Sequence, residues 1–131
     1  MSDQSCHRLN TSQGSLVIED SEISSVVRSA NDIRISLNQA HLIRSGGATP
    51  EACHATLLLT EVISESAHYY VGAGVTATHP NPRLPLDFIL ACTYSQGTLN
   101  LQGMLRNEPW FEWEIIAAGI AVESILPARE A

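Results

Sequence analysis

The chain of 131 residues contains no lysine, and its seven arginines are set against fourteen acidic residues. The formal net charge of −7 argues against nucleic acid as a partner, since binding to phosphates requires basic clusters. The use of arginine alone indicates a coding bias toward GC-rich codons, and therefore a bacterial source. An acidic surface of this kind suits a basic protein partner, or simply solubility.

Cysteine is also scarce, since the chain contains only Cys6, Cys53 and Cys92. An odd and scattered set cannot pair completely, and this is typical of a reducing compartment. The polar start of the chain lacks the apolar segment of a secretory signal. No apolar run approaches the roughly 18 residues that a membrane helix needs. We therefore expect a cytoplasmic protein that has no membrane partner.

Motifs that carry chemistry are missing as well. The adjacent residues Cys53 and His54 lack the spacing of about two to four residues that separates zinc ligands, and neighbours on a strand point to opposite faces. No serine lies in a nucleophile-elbow pattern. Gly72 and Gly74 lack the lysine and the helix of a phosphate-binding loop. We therefore expect no metal, no cofactor and no catalytic residue.

What the sequence does contain is a series of short apolar/polar alternations that are separated by turn residues. Residues 33–37 (Ile-Arg-Ile-Ser-Leu) and 111–115 (Phe-Glu-Trp-Glu-Ile) alternate strictly. A period of two places alternate side chains on opposite faces of a strand, so each strand has one buried and one solvated face. We predict an all-β protein, an antiparallel sandwich or barrel of about eight strands.

The length is that of one domain. We expect this domain to span residues 15–126, after a flexible N-terminal arm at 1–14 and before a C-terminal tail at 127–131. Residues 51–66 have a leucine spacing that also fits a single short helix, but their β-branched and aromatic residues favour a strand. Residues 72–85 are rich in glycine and proline, so we expect a long connection there with little strand.

Three local features are predicted within the domain. The apolar positions of the strand that starts at Ile33 change parity near Asn38 and Gln39, which predicts a β-bulge. Trp113 lies on the apolar side of its strand and is expected in the core. Residues 118–119 (Ala-Gly) are expected to form a bulge or a tight turn.

The candidate binding residues are Trp110, His79, Glu112 and Glu114. Trp110 stands at the entrance to a strand, and aromatic residues at a barrel mouth can stack a ligand. His79 lies in the proline-rich connection, where binding groups often sit. Glu112 and Glu114 lie on one strand face, about 7 Å apart. This spacing is compatible with an acid and base pair in glycoside hydrolysis, and equally with a solvated strand face.

The opening of the chain resembles a group of small bacterial proteins. Residues 15–23 (Ser-Leu-Val-Ile-Glu-Asp-Ser-Glu-Ile) precede a turn and the alternating strand at 33–37. This order resembles small all-β proteins of unknown function, some of them immunity-protein-like, that open with a strand and a His-Asp-Ser-x-Ile pattern. Glu19 stands where that pattern has histidine, and Asp20 and Ser21 are sufficient as a turn. The resemblance implies an all-β fold, and no functional residue is carried over.

These observations favour a bacterial binding or interaction module, one form of which is an acidic, immunity-like inhibitor of a basic protein partner. A small-ligand-binding β-barrel is the first alternative. A hydrolase that uses Glu112, Glu114 or a histidine is the second, and catalysis is favoured less than binding. Because an open sheet has edges that must be paired, covered or charged, we also expect a homodimer.

Overall fold

The structure is all-β, as predicted. The computed structural model describes residues 8–11, 13–44, 49–72, 75–78, 85–106 and 108–127. Within these ranges the chain forms nine strands and no helix. The strands are β1 (Arg8–Thr11), β2 (Gly14–Val17), β3 (Glu22–Ser29), β4 (Asp32–Arg44), β5 (Glu51–Gly72), β6 (Val75–Thr78), β7 (Phe88–Ser95), β8 (Thr98–Leu105) and β9 (Glu108–Pro127). In this part of the chain, no helix has the length and apolar character that a membrane span needs.

Six of the strands form a closed ring with antiparallel pairing throughout. β4 pairs with β3 and β5, and β3 meets β7. The series β7, β8, β9 and β5 completes the ring. β2 and β1 continue the sheet from the far end of β4, and β6 pairs with the far end of β5. The sheet therefore closes on itself as in a barrel, which removes most free strand edges.

The interior of the ring is filled by apolar side chains at alternate strand positions. On β8 and β9, Leu99, Leu101, Trp113 and Ile115 are fully buried. The prediction that Trp113 belongs to the core is confirmed. Small barrels are filled by such side chains rather than by a channel. The other fully buried large residues are Leu16, Ile18, Ile35, Leu37, Leu42, Leu57, Leu59, Leu86 and Ile89.

The predicted bulge in β4 is confirmed. The register between β4 and β5 shifts between Leu37 and Ala40. At this point Gln39 has a φ of 62°, a conformation that residues with a side chain seldom adopt. The extra residue returns Ala40 and Leu42 to the buried face, although they have the opposite parity to Leu37.

Residues 51–66 belong to β5, so the strand prediction for this segment is confirmed and the alternative helix is not formed. β4 lies on one side of residues 51–59 and β9 on the other. The two neighbours satisfy the backbone hydrogen bonds on both edges, which outweighs the helical spacing of the leucines.

Three predictions differ from the structure. β9 runs through Ala118 and Gly119 without the expected bulge or turn. A Cβ at Gly119 would lie 2.9 Å from Oγ1 of Thr60 on the paired strand, so the glycine leaves room for this side chain. β6 is a short edge strand that pairs with the end of β5, inside the segment predicted to have little strand. β1 lies within the segment predicted as an arm, since β2 offers it a strand edge.

Candidate functional site

The outer side of the wall formed by β8, β9 and β5 is polar. Phe111, Trp113 and Ile115 are buried, so the residues between them point away from the core. These residues are Glu112 and Glu114, and both are half-buried on the outer side. The prediction that the two carboxylates share one strand face is therefore confirmed.

Neighbouring strands add polar residues around the two carboxylates. His68 on β5 lies opposite Glu112, and Asn100 on β8 lies opposite Glu114. Nδ2 of Asn100 donates a hydrogen bond of 2.6 Å to Oε2 of Glu112, which holds this carboxylate in place. We call this surface the acidic face, and its residues are Ser66, His68, Asn100, Gln102, Glu112 and Glu114.

Three arginines pair with glutamates on other parts of the barrel. These ion pairs are Arg28–Glu65, Arg34–Glu123 and Arg44–Glu51. The hydrogen bond from the guanidinium of Arg34 holds the pKa of Glu123 below its usual value, so this pair remains charged and mutually compensated. The six residues of the acidic face include two glutamates and no arginine, so its composition is acidic.

The other two predicted binding residues cannot be placed beside these carboxylates. Trp110 belongs to β9, but its side chain lies outside the described part of the chain. His79 lies outside the described residues altogether. Their grouping at a barrel mouth stays a prediction.

A second polar group, which the sequence analysis missed, faces the barrel interior. Arg28 on β3 and Glu65 on β5 belong to strands that do not pair, yet Nε of Arg28 donates to Oε1 of Glu65 at 3.2 Å. Nε1 of the buried Trp113 donates to Oε2 of the same carboxylate at 2.9 Å, and the guanidinium carbon lies 5.8 Å from the centre of the indole ring. We call Arg28 and Glu65, together with the indole of Trp113 that contacts them, the interior ion pair. The side chains of Arg28 and Glu65 are 31% and 25% exposed, so the group is reachable from solvent.

The interior position of Arg28 follows from a register shift in β3. The pairing of β3 with β4 shifts between Ile23 and Ser25. Beyond the shift, Val26 and Arg28 lie opposite buried residues of β4, so they take the inner positions. The sequence indicates this register shift only through the change of apolar parity from the odd position Ile23 to the even position Val26. A period-two pattern without the shift would place Arg28 outside.

A third candidate lies where β3 meets β7, at the weakest join of the ring. These strands share a single register pair, Glu22 opposite Phe88. Three backbone hydrogen bonds support it. N–H of Ile23 donates to the carbonyl of Asp87 at 3.0 Å, N–H of Ile89 to the carbonyl of Ser21 at 2.9 Å, and N–H of Asp20 to the carbonyl of Ile89 at 2.7 Å. An open cleft of about 540 Å³ lies at this join. We call it the seam cleft, and its lining residues are Glu22, Ile23, Asp87, Phe88, Met104 and Arg106.

The described residues offer little for nucleophilic or metal chemistry. Cys53 and Cys92 form no disulfide, and both are buried. Burial raises the pKa of the Cys53 thiol, which disfavours the reactive thiolate. Among the described residues, no group of three or more histidine, cysteine, aspartate or glutamate side chains is placed to hold a metal ion.

Comparisons with protein-family models, with curated proteins and with solved structures find no match. The resemblance to small immunity-like proteins therefore stays a prediction. The acidic face, the interior ion pair and the seam cleft are the features that bear on function, since a fold alone does not imply an activity.

Proposed function

We propose that this protein is a bacterial, cytoplasmic binding module that captures a basic protein partner on its acidic face. An immunity-like inhibitor of a basic toxin is one form of this function. The observation that supports it best is that Glu112 and Glu114 stand together on one outer face of the wall, where Asn100 orients the carboxylate of Glu112. Cys53 and Cys92, which form no disulfide, support the cytoplasmic location, since disulfides are rare there.

The charge of the whole chain supports the same partner. A net charge of −7 attracts a basic protein from a distance and speeds its encounter, while a complementary patch sets the orientation of the complex. The hydrogen bond from Asn100 fixes the carboxylate of Glu112 before a partner arrives. Such preorganisation lowers the entropy lost on binding.

Binding accounts for these carboxylates better than hydrolysis does. A glycoside hydrolase places its two carboxyl groups on either side of a bond that is held in a cleft. Glu112 and Glu114 instead project from the outer side of a strand, between residues that point into the core.

The proposal is tested by partner capture from the source cytoplasm with two double variants of equal charge. Glu112→Gln with Glu114→Gln removes the charge of the acidic face. The control, Glu51→Gln with Glu61→Gln, removes two exposed carboxylates of β5 outside that face. A partner with a basic isoelectric point is then purified, and its affinity for each variant is measured by calorimetry. We expect the acidic-face variant to bind at least about tenfold more weakly than the control.

Two results would contradict the proposal. If both double variants lose the same affinity, the attraction depends on total charge and not on the acidic face. If the wild-type protein captures only neutral or acidic proteins, the partner class is wrong. Circular dichroism must show the wild-type fold for both variants, so that a loss of affinity is not a loss of structure.

The interior ion pair favours a second candidate function, a small-ligand-binding barrel. Arg28 and Glu65 present a cation and an anion above the indole of Trp113, which is the mixture of polar and aromatic groups found in ligand sites. Native mass spectrometry of protein purified from bacteria tests this. A bound molecule that disappears in Glu65→Gln supports the candidate, and an unliganded mass eliminates it. The same spectrum tests the predicted homodimer.

A further inference from the structure

We propose that the seam cleft binds one arginine side chain of the basic partner. This inference rests on the proposed function and names a specific contact for it. Phe88 and Met104 supply apolar walls, while Glu22 and Asp87 supply carboxylates. A guanidinium group stacks on aromatic faces and binds carboxylates through its planar fork, so this combination of groups suits an arginine side chain.

The cleft adjoins the acidic face on the same side of the barrel. Met104 follows Gln102 by two positions on β8, so both side chains point outward, about 7 Å apart. Gln102 in turn lies opposite Glu112 on β9. Phe88 lies between Met104 and Glu22 in the register of the three adjoining strands. A basic surface that covers the acidic face is therefore within reach of the cleft.

The charges of the cleft fit one monovalent cation. Among the described residues, neither Glu22 nor Asp87 forms an ion pair. Oδ2 of Asp87 accepts the backbone N–H of Arg106 at 3.2 Å, which orients this carboxylate at the cleft. Arg106 also lines the cleft, so the two acidic residues and the one basic residue of the lining leave a surplus of one negative charge. One arginine compensates this surplus.

The first test measures binding of a single arginine side chain to the intact chain. The probe is Nα-acetyl-arginine methylamide, and Nα-acetyl-citrulline methylamide is the uncharged isostere. In nuclear magnetic resonance titrations of nitrogen-15-labelled protein, we expect a dissociation constant of about 1 mM for the arginine probe. The shifted amide signals should be those of Ile23, Asp87, Phe88 and Met104. Equal binding of the two compounds, or shifts confined to other regions, would overturn the inference.

Matched variants separate the cleft from the acidic face. Glu22→Gln with Asp87→Asn should weaken binding of the arginine probe about tenfold, because both charge-assisted contacts are lost. Phe88→Ala should also weaken it while leaving every charge in place. Glu112→Gln with Glu114→Gln should leave it unchanged. If this last variant weakens the probe as much as the cleft variant does, the attraction is general and the inference is wrong.

The failure of this inference and the failure of the proposed function give different results. If the acidic-face variant loses partner affinity but the arginine probe does not bind in the cleft, the inference is wrong and the proposed function is supported. If the probe binds in the cleft but the acidic-face variant keeps its partner affinity, the proposed function is wrong. The cleft would then be an arginine site without the partner surface that we propose beside it.

Discussion

The inner and outer faces of β8 and β9 consist of alternate residues of the same two strands, yet they are built by different rules. On the inner face, Leu101 and Trp113 are completely excluded from water. On the outer face, Asn100 and Glu112 remain half-exposed and bind one another. Close packing restricts which side chains fit on the inner face, whereas many residue types would fit on the outer face. The acidic composition of the outer face is therefore not needed for the fold, which is consistent with a role in binding.

The largest expected difference between the two faces is at Trp113. Trp113→Ala should lower the free energy of unfolding by about 3–5 kcal/mol, since it leaves a large cavity in a packed interior. It also removes the indole N–H that binds Glu65. Glu114→Ala, one residue away on the outer face, should change the free energy by less than about 0.5 kcal/mol. Urea unfolding followed by circular dichroism measures both. Similar losses would show that the assigned strand parity is wrong.

Two glycines extend the comparison to added volume. A Cβ at Gly103, on the inner face, would lie 1.9 Å from the carbonyl oxygen of Phe88. Gly103→Ala should therefore destabilise the protein by about 1–3 kcal/mol, because the backbone of β7 has to move. At Gly119 the obstacle is the hydroxyl of Thr60, a side chain that can rotate away. Gly119→Ala should cost clearly less in thermal unfolding, and the opposite order would contradict the packing of β7 against β8.

Carboxylates on the two faces should also differ in their contribution to stability. Glu65 accepts hydrogen bonds from Arg28 and the buried indole of Trp113 on the inner side, whereas Glu112 binds Asn100 on the outer side. Glu65→Gln should destabilise the fold by about 1 kcal/mol. Glu112→Gln should stay within about 0.5 kcal/mol of the wild type. Chemical unfolding of both variants under identical conditions measures the difference. Equal changes in unfolding free energy would mean that the inner position of Glu65 does not increase its contribution to stability.

The parts of this structure that the sequence predicts are those set by neighbouring residues. Period-two alternation predicts the strand that holds Glu112 and Glu114, and the parity change at Gln39 predicts the bulge. The interior position of Arg28 depends on a register shift that only the pairing with β4 defines. The seam cleft brings β3, β7 and β8 together from distant parts of the chain. Local patterns carry no information about such long-range pairing, so these two sites could not be predicted.

The smallest expected effect concerns Arg34 and Glu123, a pair on the outer side at 2.8 Å. Arg34 lowers the pKa of Glu123 in the folded state, so the pair contributes stability above the ordinary glutamate pKa and loses it as the pH falls through the lowered value. The difference in unfolding free energy between the wild type and Glu123→Gln should therefore be present at neutral pH and shrink in acid. Added salt should also reduce it, because the pair is exposed. A double-mutant cycle with Arg34→Gln isolates the pair, and a coupling that does not change with pH would show that the two groups do not interact in solution.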